Sequence, residues 1–123
     1  MAVSMSMPIL IVDDVNTMIR ILRNLLRQLG FTHIDEACDG EAALAKMRAK
    51  NYALVISDSY MAPMSGLELL QRARAEERTS ATPFVMLGDE ADKLAVAGAA
   101  ACLMAPFSAQ ALKAKLEPVL GAF

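Results

Sequence analysis

The sequence predicts an α/β fold in which helices cover both faces of a parallel sheet. Three observations support this. Residues 8–12, 53–56 and 83–87 are short runs, apolar throughout, as expected of strands buried on both faces. Segments of helical period separate the runs, so successive strands connect through helices and run parallel. At 123 residues the chain holds one domain's worth of material, enough to bury a core unaided. The economical architecture is a doubly wound sandwich.

Residues 8–12 form the first strand, β-branched at Ile9, Ile11 and Val12 and followed by Asp13-Asp14. Met18, Leu22, Leu25, Leu26 and Leu29 then recur at helical spacing, with Arg20, Arg23, Asn24 and Arg27 on the other face. Asn16 or Thr17 is placed to cap this helix and Gly30 to end it. Residues 33–37 make a shorter, more polar strand, the composition of a sheet edge. Asp39 can cap a helix from residue 40 to about 50, with Ala43, Leu44 and Met47 inward. The strand at 53–56 ends in Ser57-Asp58, and a loop containing Pro63 leads to a helix over about 66–76. The strand at 83–87 ends in Gly88-Asp89. Residues 90–97 are a short helix before Gly98, and residues 102–104 are the last strand. Ser108 can cap a final helix through Leu116, with Pro118 disrupting its last turn. Five strands thus alternate with five helices.

Composition excludes several functions. A net charge of −2 runs against the basic surface of a nucleic-acid binder. With 5% aromatic residues and no Trp there is no base-stacking platform. Residues 1–7 lack a basic region and a long apolar run, so neither a secretory signal nor membrane insertion is expected. They are expected to be flexible. Cys38 and Cys102 are too few and too far apart for a disulfide scaffold or a zinc site. The expected compartment is the reduced cytoplasm. One domain over residues 1–123, monomeric and without an output module, accounts for the length.

The chemistry concentrates in Asp13, Asp14 and Asp58, each following a strongly apolar strand. Open α/β sheets bind ligands at the carboxyl ends of strands where strand order reverses. If the first and third strands are neighbours, three carboxylates converge there. Like charges ~4 Å apart repel by about 4 kcal/mol per pair at an effective dielectric of roughly 20. A divalent cation removes that cost, and oxygen-only ligands with retained waters suit Mg²⁺. A single acid after a strand is commonly a solvated loop carboxylate or a helix cap; three together point to a site.

Four segments carry a family resemblance. They are Ile9-Leu-Ile-Val-Asp-Asp14; Arg23-Asn-Leu-Leu26 with Leu29-Gly-Phe31; Glu36-Ala-Cys-Asp-Gly40; and Val55-Ile-Ser-Asp58 with Ser65-Gly-Leu-Glu-Leu-Leu70. The chain resembles the receiver domain of two-component response regulators, of the single-domain chemotaxis (CheY-like) type, over nearly its whole length. The resemblance implies a flavodoxin-like (βα)5 sheet of order 2-1-3-4-5, with Cys38 and Cys102 toward opposite edges and unpaired. It implies Asp58 as phosphoacceptor and Mg²⁺ held by Asp13, Asp14, Asp58 and the main-chain carbonyl of Tyr60. The donor would be a phosphohistidine on a histidine kinase or phosphotransfer protein, and the output a contact with a downstream protein. Such a chain assists its own phosphorylation and is not an enzyme in the ordinary sense.

The second half departs from the pattern. Gly88 stands where the family carries a Thr or Ser hydroxyl for the phosphoryl group. Ala105 stands where a Lys pairs with phosphoryl oxygens, and Cys102 replaces an aromatic switch residue. Ser59, Asp89 and Glu90 are further neighbours of a bound phosphate, and Lys93 is a candidate substitute cation. The loop after Asp58 has its proline one place displaced, at Ala62-Pro63, and the bulky Tyr60 packs at the loop or shields the site from water. The helix over 90–97 is about one turn shorter than usual, which alters the output face.

Two other readings compete. A receiver that has abandoned phosphorylation would act as a protein-binding module; the residues at 88, 102 and 105 motivate it. A small α/β enzyme is disfavoured: an Asp-nucleophile phosphatase needs its two acids separated by one residue, and Asp13-Asp14 would repel a flavin phosphate. His33 reads as a strand-start residue, and most of the nine Met residues as core filling. The Arg20, Arg23 and Arg27 face is either solvated or a kinase contact.

Overall fold

The computed structural model describes residues 4–88, 98–103 and 108–121. Its strands are β1 (Ile9–Val12), β2 (Ile34–Ala37), β3 (Leu54–Asp58), β4 (Phe84–Leu87) and β5 (Ala101–Leu103). Among the described residues the helices are α1 (Asn16–Gln28), α2 (Gly40–Ala49), α3 (Gly66–Ala75) and α4 (Ala109–Leu120). All neighbouring strands pair parallel, in the order β2-β1-β3-β4-β5. The helix expected over 90–97 and the strand residue Met104 lie outside the described residues.

Side-chain alternation along the strands builds two cores. Leu10, Val12, Val55, Phe84 and Met86 face α2 and α3, where Leu44, Met47, Leu69 and Leu70 are buried. Ile9, Ile11, Leu54, Ile56, Val85 and Leu87 face α1 and α4, where Ile19, Leu22, Leu26, Leu112 and Leu116 are buried. That is why β1, β4 and the first three residues of β3 are apolar at every position. β2 is an edge strand, and its acids have partners: Asp35 accepts from Tyr52 Oη at 2.6 Å and Lys50 Nζ at 3.0 Å. Glu36 pairs with Arg23 of α1, so Arg23 is not free on a solvated face.

Helix caps explain most element ends. Asp39, Ser65 and Ser108 accept from the N–H groups of Ala42, Glu68 and Ala111, opening α2, α3 and α4. α1 differs from expectation. Its N-cap is Val15, and neither Asn16 nor Thr17 caps it. Instead Asp13 Oδ1 accepts the Val15 N–H at 2.9 Å and turns the chain directly from β1 into the helix. The buried stripe is accordingly centred on Ile19, Leu22 and Leu26, with Met18, Leu25 and Leu29 only partly buried. Gly30 ends the helix at φ +109°. Its N–H reaches Arg27 O at 3.0 Å, and Phe31 N–H reaches Leu26 O at 3.1 Å, a Schellman closure.

One further expectation is corrected. α4 does not break at Pro118 but runs on to Leu120. Val119 and Leu120 pack against the core, and Gly121 N–H closes the turn on Glu117 O at 2.9 Å, which offsets the single lost donor. Near the start of the chain, Met5 and Met7 make contacts with the body of the fold. Met5 O accepts from both Thr32 N and Thr32 Oγ1, and Met5 and Met7 pack on the α1 core. Cys38 and Cys102 are free thiols toward opposite sheet edges, as expected. No helix among the described residues is long and apolar enough to cross a membrane.

Candidate functional site

β1 and β3 are neighbours with Val12 opposite Ser57, so the residues that follow, Asp13 and Asp58, emerge side by side. Asp13, Asp14 and Asp58 each bring a carboxylate oxygen within 4.8 Å of the others. The three differ in exposure: Asp13 is 2% exposed, Asp58 is half-buried and Asp14 is open to solvent. Asp13 is anchored by the Val15 N–H, and Asp58 Oδ1 accepts the Tyr60 N–H at 3.2 Å.

Electrostatics records the crowding. Burial, then the charges of Asp58 and Asp14, push Asp13 up to about 6, against the pull of the Val15 N–H. Burial, then the Asp14 charge, also raises Asp58 above the ordinary carboxylate range, partly offset by the Tyr60 N–H. Three hard oxygen donors that repel one another, with one open to water, suit an oxygen-loving divalent cation. The acids open into a cleft of about 240 Å³ walled by Val15, Met18, Tyr60, Leu87 and Gly88. A second cleft of about 230 Å³, beside Lys50, Tyr52 and Arg78 at the amino ends of the strands, is remote from the acids.

The rest of the site is shaped by two close approaches. Gly66, first residue of α3, passes so near Asp58 that an added Cβ would lie 1.9 Å from the Asp58 carbonyl oxygen. Its N–H donates to Ser59 O at 3.1 Å. Gly88 lies at φ +152°, and an added Cβ would meet Ser59 Oγ at 2.8 Å and Tyr60 Cε2 at 3.6 Å. Tyr60 is 59% exposed and walls the cleft rather than capping it. Cys102 is half-buried opposite Met86, and burial raises its thiol pKa, so it is no reactive thiolate. Asp89, Glu90, Lys93 and Ala105 lie outside the described residues.

Sequence reasoning brought together the acids but missed the walls. Val15, Met18 and Leu87 carry no chemical signal in the sequence. They become site residues only because the strand ends meet there.

Comparison with known proteins agrees with this arrangement. Residues 9–117 match the family described as response regulator receiver domain. The chemotaxis protein CheY of Pseudomonas aeruginosa is 43% identical over 118 residues, covering 92% of this chain and 95% of that protein. The solved chemotaxis response regulator CheY4 of Vibrio cholerae superposes with a TM-score of 0.85 at 28% identity, over 94% of this chain and 99% of that one. The receiver domain of a Pseudomonas aeruginosa sensor histidine kinase, solved with a magnesium ion in its active-site cleft, shares the fold. Its TM-score is 0.85 at 23% identity, over 95% of this chain and 99% of that domain. On this evidence the chain belongs to the response regulator receiver family and is a relative of the CheY proteins of two-component signalling.

Proposed function

We propose that this chain is a single-domain response regulator that accepts a phosphoryl group on Asp58 from a histidine kinase or phosphotransfer protein. The observation that carries the proposal is the convergence of Asp13, Asp14 and Asp58 within 4.8 Å at the ends of adjacent strands. Asp58 is the acceptor that the family resemblance implies, and its place fits: it is half-buried, lines the cleft and ends β3. Asp13 and Asp14 would hold Mg²⁺ with it, and the Tyr60 carbonyl would be a further ligand. Bound Mg²⁺ neutralises the charge that gathers between the acceptor and the phosphoryl oxygens.

The chain's own residues do the rest. An Asp58 carboxylate oxygen attacks phosphorus while the P–N bond breaks, its electron pair returning to the donor imidazole nitrogen. The Tyr60 N–H orients the Asp58 carboxylate, and the Val15 N–H fixes Asp13. Val15, Met18 and Leu87 make one side of the cleft apolar, which limits water at the acceptor. The chain then signals through its surface to a downstream protein.

Amide NMR during addition of Mg²⁺ and then beryllofluoride tests this reading. Resonances of Asp13, Asp14, Asp58 and their neighbours shift with Mg²⁺ and shift again with beryllofluoride. An unchanged spectrum at saturating reagent contradicts it and favours a phosphorylation-independent binding module.

A further inference from the structure

We infer that Ser59 supplies the hydroxyl contact to the phosphoryl group that Gly88 lacks. The inference rests on Asp58 being the acceptor. Three observations lead to it.

Ser59 is 5% exposed, and its Oγ has no hydrogen-bond partner among the described residues. Buried hydroxyls are ordinarily paired, so an unpaired one on the residue next in sequence to the proposed acceptor calls for a function. Next, the hydroxyl stands where a side chain at position 88 would stand: a Cβ on Gly88 would lie 2.8 Å from Ser59 Oγ. Gly88 itself walls the acidic cleft. A side chain at 88 and the Ser59 hydroxyl therefore compete for one space, and glycine leaves it to the serine. Finally, the placement is rigid. Ser59 N–H donates to Leu87 O at 3.0 Å, and Ser59 O accepts the Gly66 N–H at 3.1 Å. The backbone of Ser59 is thus pinned between β4 and α3.

A phosphoryl group on Asp58 brings strong acceptor oxygens into this corner. The Ser59 O–H donates to one of them and keeps its proton throughout, while the bond to the donor breaks and the Asp58 O–P bond forms. A charge-assisted bond of this kind is among the stronger ones.

Beryllofluoride, which mimics the phosphoryl group, tests the inference by ¹⁹F NMR in saturating Mg²⁺ with Ser59→Ala. The variant binds beryllofluoride about tenfold more weakly, the loss expected for one hydrogen bond to a charged group, and the fluorine resonances move. Its Mg²⁺ affinity stays within about twofold, and its melting temperature is equal to or above the parent's, because an unpartnered polar group has gone. Equal adduct affinity in parent and variant overturns the Ser59 inference and leaves the phosphoacceptor reading intact. A variant that melts lower or fails to fold overturns it too, since the hydroxyl is then structural. A parent chain that binds Mg²⁺ but forms no adduct overturns both.

Discussion

Asp13 is raised to about 6 by burial first and by the charges of Asp58 and Asp14 second. Its folded-state pKa thus lies above the ordinary value of 3.8, and the folded chain holds this proton more tightly than the unfolded one. The favourable contribution is complete below about pH 3.8 and is lost as pH rises through about 6. The difference is on the order of 3 kcal/mol. Without divalent cation the melting temperature should therefore fall between pH 5 and 7.5, and Mg²⁺ should restore more at pH 7.5 than at pH 5. Asp13→Asn should flatten both dependences, as calorimetry can check; a chain indifferent to Mg²⁺ at pH 7.5 would contradict this. The three acids were legible in the sequence because strand ends in α/β sheets are where ligands bind. Ser59 was legible only as a neighbour of the acceptor. Its burial and its contact with the Gly88 position depend on β3 and β4 ending side by side, with Asp58 opposite Leu87.

Helix boundaries show which local signals suffice. Asp39, Ser65 and Ser108 act as caps through their own side chains, three residues from the amides they bind, so α2, α3 and α4 start where the sequence places them. α1 starts elsewhere because its first turn is held by Asp13, a residue of the site. Pro118 is the reverse case, where packing overrides a local breaker: Val119 and Leu120 reach the core beyond it. Pro118 is itself exposed, so Pro118→Ala removes no core contact and returns a backbone donor. That substitution should raise stability by about 1 kcal/mol and the melting temperature by a few degrees in thermal unfolding. A lower melting temperature would mean that the proline's restriction of the unfolded chain outweighs the helix bond.

Across the whole molecule, strand order was legible once the resemblance was recognised, and the apolar strand runs reflect two cores rather than one. The docking of Met5 and Met7 on α1 was not legible, because nothing local marks a leading segment as packed. The mild net charge of −2 conceals an acidic centre at one end of the sheet, where Asp13, Asp14 and Asp58 meet. The identity of the acceptor is therefore decisive for what this centre does. Phosphotransfer from a phosphohistidine donor in Mg²⁺, followed by borohydride trapping and mass spectrometry, locates the modified residue directly. Modification is expected at Asp58 and should disappear in Asp58→Asn. Modification at another residue, or none while Mg²⁺ is bound, would contradict that expectation.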